Sequence, residues 1–266
     1  MKNTNQGRKE GGSLLFAAKE SYRTIRTNLM FSMAKKGCKT ILFTSSIQGE
    51  GKTTTSSNVA FSIARSNKKV LLVDLDLRRP HIHRLVKLSN TPGITNILSG
   101  FNSLEETIHK DVFKGLDVIC AGTLSPNPAE IVASEELAAL LEQLKADYDF
   151  IILDTPPINV VSDALTVIPY VDGVVMVARP NYTARKELQN AIGKINMVGG
   201  KILGVVANGA RSEKRFSDSR YGRYSRYATY GTYSTPVPSA QEQAASNRQE
   251  QEAESEETEE EAKEEE

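Results

Sequence analysis

Thr40-Ile41-Leu42-Phe43-Thr44-Ser45-Ser46-Ile47-Gln48-Gly49-Glu50-Gly51-Lys52-Thr53 decides the fold. Its first five residues read as a buried strand, and Thr53 to Ser66 reads as a helix. The strand and helix are joined by a loop with glycine at positions 49 and 51. A strand, a tight glycine turn and a helix start gather backbone N–H groups around one point at the positive end of a helix dipole. That arrangement suits the phosphates of a nucleoside triphosphate. Gly49 and Gly51 let the backbone approach, Lys52 can reach the β- and γ-phosphates, and the Thr53 hydroxyl can sit on Mg2+. The usual loop opens with glycine, whereas Ser46 stands there in this chain.

Further strands follow as short apolar runs without alternation: Val70–Asp74, Leu116–Ile119, Phe150–Asp154, Gly173–Ala178 and Ile202–Ala207. Helical patterns lie between them, such as Ser134–Ala146 and Thr183–Asn196, and a leading one at Leu14–Lys35 carries Phe16, Tyr22, Ile25, Leu29 and Met33 at helical spacing. Unalternating strands separated by helices predict an α/β fold with a doubly wound, mostly parallel sheet covered on both faces. This domain is expected over residues 14–210, after a flexible lead-in at 1–13.

Beyond residue 210 the composition changes. Residues 211–235 are poor in aliphatics, and Tyr221, Tyr224, Tyr227, Tyr230 and Tyr233 recur at every third position. Residues 236–266 turn Gln/Ala/Ser-rich and then Glu-rich. Neither segment can bury enough apolar area to offset ordering, so both are expected to be disordered in isolation. The chain's net charge of zero conceals this division. From Glu242 onward twelve Glu stand against Arg248 and Lys263, which leaves 31 basic and 21 acidic residues, +10, on the rest. Cys38 and Cys120 show no metal-type spacing and fit a reducing compartment. No apolar run approaches the ~18 residues of a membrane span, so any membrane contact is expected through a partner or a charged surface.

Two strands end in aspartate. Asp74 and Asp76 close the second strand and Asp154 closes Phe150–Asp154. Ligands of open α/β sheets bind at the carboxyl ends of strands, where the phosphate loop also lies. Carboxylates gathered there could hold Mg2+ and accept a proton from a nucleophile. Alternation along the strand would aim Asp74 and Asp76 the same way. The blander reading has Asp76 capping a loop or pairing with Arg78 or Arg79. For the tyrosine cluster, composition is equally compatible with a row of phosphate acceptors and with a low-complexity tail, bearing Arg220, Arg223 and Arg226, that stacks on RNA or on itself.

Taken together, Gly49-Glu50-Gly51-Lys52-Thr53, Val73-Asp74-Leu75-Asp76-Leu77-Arg78-Arg79-Pro80, Leu153-Asp154-Thr155-Pro156-Pro157 and the tyrosine cluster resemble the bacterial tyrosine kinases of capsule and exopolysaccharide synthesis. The likeness is to the Gram-positive type, whose kinase is a separate chain from its membrane activator. Glu20-Ser21-Tyr22-Arg23-Thr24-Ile25-Arg26 matches the family's Glu-x-x-Arg-x-x-Arg ring-assembly segment, and Ser125–Glu130 its Pro-rich loop. Gln48 departs from the proline common at that position, and the Glu-rich extension has no counterpart.

The resemblance implies ATP held by Gly49, Glu50, Gly51, Lys52, Thr53 and Thr54, with Asn208 near the base, and Mg2+ held by Thr53, Asp74 and Asp154. Lys52 and Asp76 would be catalytic, and Tyr221 to Tyr233 would be autophosphorylated in trans. Glu20, Arg23 and Arg26 would join copies into a ring. It also implies a membrane activator of the chain-length-determinant type, a cognate tyrosine phosphatase, polysaccharide-synthesis enzymes as substrates and no nucleic-acid partner. The kinase would then be cytoplasmic, at the inner membrane face through its activator. The rival is a partitioning-type ATPase of the same fold that binds DNA or membrane. Such proteins carry a second lysine where this chain has Ile47.

Overall fold

The computed structural model describes residues 4–33 and 36–210, with side chains from residue 18 onward. The tyrosine cluster and the acidic extension lie outside the described residues. Helix α1 (Thr4–Ser32) leads into β1 (Lys39–Ser45), α2 (Lys52–Ala64) and β2 (Val70–Asp74). Three short helices follow, α3 (Ile82–Leu85), α4 (Ile94–Leu98) and α5 (Leu104–Thr107), then β3 (His109–Phe113) and β4 (Leu116–Ile119). The rest comprises α6 (Pro128–Val132), α7 (Glu135–Leu144), β5 (Phe150–Asp154), α8 (Asp163–Val167), a 3-10 turn at Ile168–Tyr170, β6 (Gly173–Ala178), α9 (Arg185–Met197) and β7 (Ile202–Ala207).

The strands form one seven-stranded sheet in the order β3-β4-β2-β5-β1-β6-β7, parallel except where β3 runs against β4. Successive residues of the central strands enter opposite cores. On one face Leu42, Leu71, Val73, Ile151, Leu153, Val174 and Met176 pack with α7, α8 and α9 through Leu137, Leu141, Val167 and Ile195. On the other, Ile41, Phe43, Val70, Leu72, Phe150, Ile152, Val175 and Val177 pack with α1 and α2 through Leu29, Val59 and Ile63, and with Met33 just after α1. Burial on both faces is the reason these strands read as unbroken apolar runs.

Three departures from the sequence reading have physical causes. Strand β3 was not expected, because an antiparallel edge strand such as His109-Lys110-Asp111-Val112-Phe113 buries one side chain, Val112, and presents charge elsewhere. The first helix runs back to Thr4, ten residues before the Leu14 at which helical spacing begins. Apolar spacing marks the docked part of a helix, whereas cooperative extension needs no apolar face. Finally, β2 ends at Asp74, so Asp76 lies past the strand in a turn and alternation does not place it.

The central strand β1 lies between β5 and β6, with β2 beyond β5. The loop after β1 therefore opens at the point where successive connections leave in opposite directions, the crevice where such sheets bind ligands. In the register, Asp74 is paired with Asp154 and Phe43 with Asp154, which sets both strand-terminal carboxylates beside the start of that loop.

Candidate active site

The phosphate loop is bent by two left-handed glycines, Gly49 at φ +83° and Gly51 at φ +84°, a region side chains with Cβ rarely adopt. It is held from three sides. The buried carboxylate of Glu50 accepts a hydrogen bond from Ile47 N through Oε2 at 2.8 Å, and its Oε1 accepts another from the Thr183 hydroxyl. The Tyr182 hydroxyl donates to the Gln48 carbonyl at 3.0 Å, and the Asn208 amide donates to the Glu50 carbonyl at 2.9 Å. A Cβ on Gly51 would run into that amide, and one on Gly49 would meet the Tyr182 oxygen at 3.0 Å. Helix α2 then starts at Lys52 with no side-chain cap. Its first-turn N–H groups are left for a ligand.

Lys52 turns back from the loop onto the acids. Its Nζ lies 2.9 Å from Asp76 Oδ2 and 3.4 Å from Asp154 Oδ2, and it donates to Thr53 Oγ1 at 3.3 Å. Burial works against the ammonium, but Asp154 and Asp76 outweigh it, so the pKa of Lys52 is raised. Asp154 is fully buried and its Oδ1 accepts from Ser56 Oγ at 3.2 Å. Burial, helped by the charge of Asp76, raises its pKa despite Lys52, Thr53 and Ser56. Asp74 is also fully buried. Its Oδ2 takes the N–H groups of His81 and Ile82 at 3.0 Å, and its Oδ1 that of Asp76 at 3.2 Å. Burial and the neighbouring Asp154 nevertheless push its pKa up to about 7. The same desolvation, together with Asp74, pushes the Cys120 thiol up to about 12, leaving it inert.

Asp76 reaches the cluster from the turn. Its Oδ1 caps the turn by accepting from Arg79 N at 3.0 Å, while Oδ2 faces Lys52. The same side chain thus caps a turn, as one expectation had it, and pairs with Lys52. Arg78 does not pair with it but clasps the buried Asp163 with two hydrogen bonds, Nε to Oδ2 at 2.8 Å and a guanidinium NH2 group to Oδ1 at 3.1 Å. The loop, one ammonium and three acids from β2, its following turn and β5 therefore meet in one crevice.

The AAA domain family matches residues 38–203, well over half of the chain. Tyrosine-protein kinase YwqD of Bacillus subtilis is 38% identical over 203 residues, covering 76% of this chain and 86% of that protein. This chain belongs to the bacterial tyrosine-protein kinases. The solved kinase domain of Escherichia coli tyrosine kinase ETK superposes with a TM-score of 0.70 at 35% identity, over 81% of this chain and 80% of that one. The septum site-determining protein MinD of Pyrococcus horikoshii, solved with Mg-ADP, shares the fold at TM-score 0.56 and 22% identity, covering 69% and 72% of the two chains. That last likeness concerns the fold alone. The phosphate loop makes the kinase a nucleotide-binding protein of the P-loop kind.

Elsewhere in the kinase, Glu20 and Arg23 form an exposed pair at 2.6 Å on α1, whereas Arg26 Nη1 donates to the Ser62 carbonyl of α2 at 2.7 Å and so ties the two helices together. No helix among the described residues is long and apolar enough to cross a membrane. The sequence reading missed Tyr182 and Thr183 in the loop between β6 and α9. Polar loop residues some 133 positions from their partners carry no local signal.

Two outcomes follow from this geometry. Thr183→Val keeps the side-chain shape but removes the donor to Glu50, and a buried carboxylate oxygen left unmet costs about 1–3 kcal/mol. ATP affinity, measured by titration calorimetry, should fall by about tenfold or more, and Thr183→Ser should restore it. For Asp74, the folded state holds the proton up to about pH 7, whereas an unfolded aspartate releases it near 3.9. Rising pH across that window thus favours unfolding, and the stabilisation present below about pH 4 is lost by about pH 7. Nucleotide-free protein should lose stability in urea melts between these values, and Asp74→Asn should show a flatter profile; an equally steep one would contradict the assignment.

Proposed function

We propose that the chain transfers the γ-phosphoryl group of ATP to protein tyrosines, among them Tyr221, Tyr224, Tyr227, Tyr230 and Tyr233 of a neighbouring copy. The observation that carries this reading is the meeting of Lys52 Nζ with Asp76 Oδ2 at 2.9 Å, directly after the phosphate loop. A base next to the phosphate-binding ammonium is what attack by a hydroxyl requires. Free tyrosine has a pKa of about 10, so a carboxylate that accepts its proton during transfer lowers the barrier.

The residues fit the nucleotide and its metal. The uncapped start of α2 offers N–H groups, and the buried Ser46 hydroxyl has no partner among the described residues. The Thr53 hydroxyl and the carboxylates of Asp74 and Asp154 are the hard oxygen donors that Mg2+ takes. When bound, the ion would supply positive charge against the negative charge that develops on the phosphates. Asp154, already anchored by Ser56, would hold its place, and release of the Asp74 proton would accompany metal binding. Lys52 would transfer from Asp76 toward the phosphates, which frees Asp76 to accept the tyrosine proton. Gly49, Gly51 and Thr54 would lie along the phosphates. Glu50 and Asn208 would serve by shaping the loop.

On this reading the kinase regulates capsule or exopolysaccharide synthesis and export, at the inner membrane face, through an activator of the chain-length-determinant type. Copies would assemble into a ring through α1. A tyrosine phosphatase would reset it, and polysaccharide-synthesis enzymes would be further substrates. The partitioning-type ATPase shares the fold, but Ile47 supplies no second ammonium and nothing in the site favours that alternative.

Purified protein incubated with Mg-ATP, with and without the activator's cytoplasmic segment, should acquire phosphotyrosine by mass-spectrometric mapping. Lys52→Met and Asp76→Asn should each lower the rate by about 10²–10³-fold; an undiminished signal in either overturns its assignment. Glu20→Ala with Arg23→Ala removes an exposed pair worth ~0.2–1 kcal/mol at most to the fold. Light scattering should nevertheless show monomers, and an unchanged oligomer would refute the ring contact.

A further inference from the structure

Four tyrosines stand among the described side chains, and they differ in availability. Tyr148 is buried and donates to Asp117 Oδ2 at 2.6 Å, with its hydroxyl pushed up to about 12 by burial and that carboxylate. Tyr22 is half-buried against α2, where desolvation raises its pKa. Tyr170 is exposed, at the end of the 3-10 turn and away from the phosphate loop. Tyr182 is 51% exposed, yet its hydroxyl closes a hydrogen bond on the Gln48 carbonyl inside the phosphate loop. Cations are close to it in sequence, with Glu187 beyond them in the first turn of α9. The Arg179 guanidinium lies 5.5 Å from its ring centroid, and Arg185 and Lys186 are exposed in the first turn of α9.

We propose that Tyr182 is itself a phosphate acceptor, modified by a second copy of this chain, and that the phosphate opens the latch between the 179–183 loop and the phosphate loop. This rests on the tyrosine-kinase reading above. In the step, Tyr182 Oη attacks the γ-phosphorus of ATP bound to the other copy. The Oη–P bond forms, the bond from the γ-phosphorus to the β,γ-bridging oxygen breaks, and ADP leaves with that electron pair. The hydroxyl proton goes to the Asp76 carboxylate of the catalysing copy.

The consequence is electrostatic and steric. The modified oxygen can no longer donate to Gln48 O, and a group of charge −1.5 to −2 would face a carbonyl oxygen and the site of the nucleotide's own phosphates. The Tyr182 hydroxyl sits so close over Gly49 that a Cβ there would meet it at 3.0 Å. Arg179, Arg185 and Lys186 are the available counter-charges, and all three belong to the loop or to α9. Pairing with them draws residue 182 off the phosphate loop and leaves the Thr183–Glu50 bond to hold that side alone. Tyr182 thereby couples the kinase's product chemistry to its own affinity for ATP.

The test uses the full chain with Mg-ATP and the activator's cytoplasmic segment, mapping each tyrosine over time. Phosphate should appear on Tyr182 and not on Tyr148. Lys52→Met should acquire it at Tyr182 only when mixed with active protein. Phosphate on the tail tyrosines with none on Tyr182 would overturn this inference and leave the kinase reading intact. Phosphate on no tyrosine would overturn both. Independently of activity, protein with phosphotyrosine installed at position 182 by codon reassignment should bind ADP about tenfold or more weakly than unmodified protein, the combined effect of one lost hydrogen bond and like-charge repulsion. Tyr182→Phe should lose only a few-fold. Equal ADP affinity with and without the phosphate would refute the latch.

Discussion

The ammonium of Lys52 is the charge on which the crevice depends. Asp74 and Asp154 are fully buried, and Asp76 nearly so; burying one carboxylate without a partner is costly, and burying three together more so. Lys52 compensates two of them directly, while three backbone N–H groups stabilise Asp74. The compensation is incomplete, as the raised pKa values of Asp74 and Asp154 record. Those raised values mark a surplus of negative charge in a buried crevice.

The same site needs a loop in an unfavourable backbone conformation. Two left-handed glycines remove the steric penalty, but they do not select one conformation. Selection comes from polar contacts supplied by two distant connections, the β6–α9 loop through Tyr182 and Thr183 and the end of β7 through Asn208. Because β6 and β7 lie on the far side of β1 from β2 and β5, the two halves of the sheet divide the labour. One half shapes the phosphate loop and the other supplies the acids.

Legibility in the sequence followed burial. Five strands could be read because they are buried on both faces, β7 because its residues are apolar although it stands part-exposed at the sheet edge, and Asp74 and Asp154 could be placed because their strands stop at them. Strand β3 escaped because one inward side chain makes no pattern. The four- and five-residue helices α3 to α6 escaped because they are too short to show a period. Asp76 was placed at the right spot through the wrong geometry, since a turn carries it there. Glu50 was legible as a member of the loop but not as its brace, because its partner Thr183 is remote in sequence and unremarkable in type.

Asn208 has a bearing on the tail. It is the residue after β7, and its amide grips the phosphate loop. The chain that continues toward the tyrosine cluster is thus moored at the mouth of its own nucleotide site. From Ala210 to Tyr221 the contour cannot exceed roughly 40 Å, and to Tyr233 roughly 80 Å, at about 3.6 Å per residue. A folded domain of about 200 residues has a radius of gyration of roughly 16 Å. Chain length alone therefore caps the distance of each tyrosine from Ala210, and that cap about doubles between Tyr221 and Tyr233.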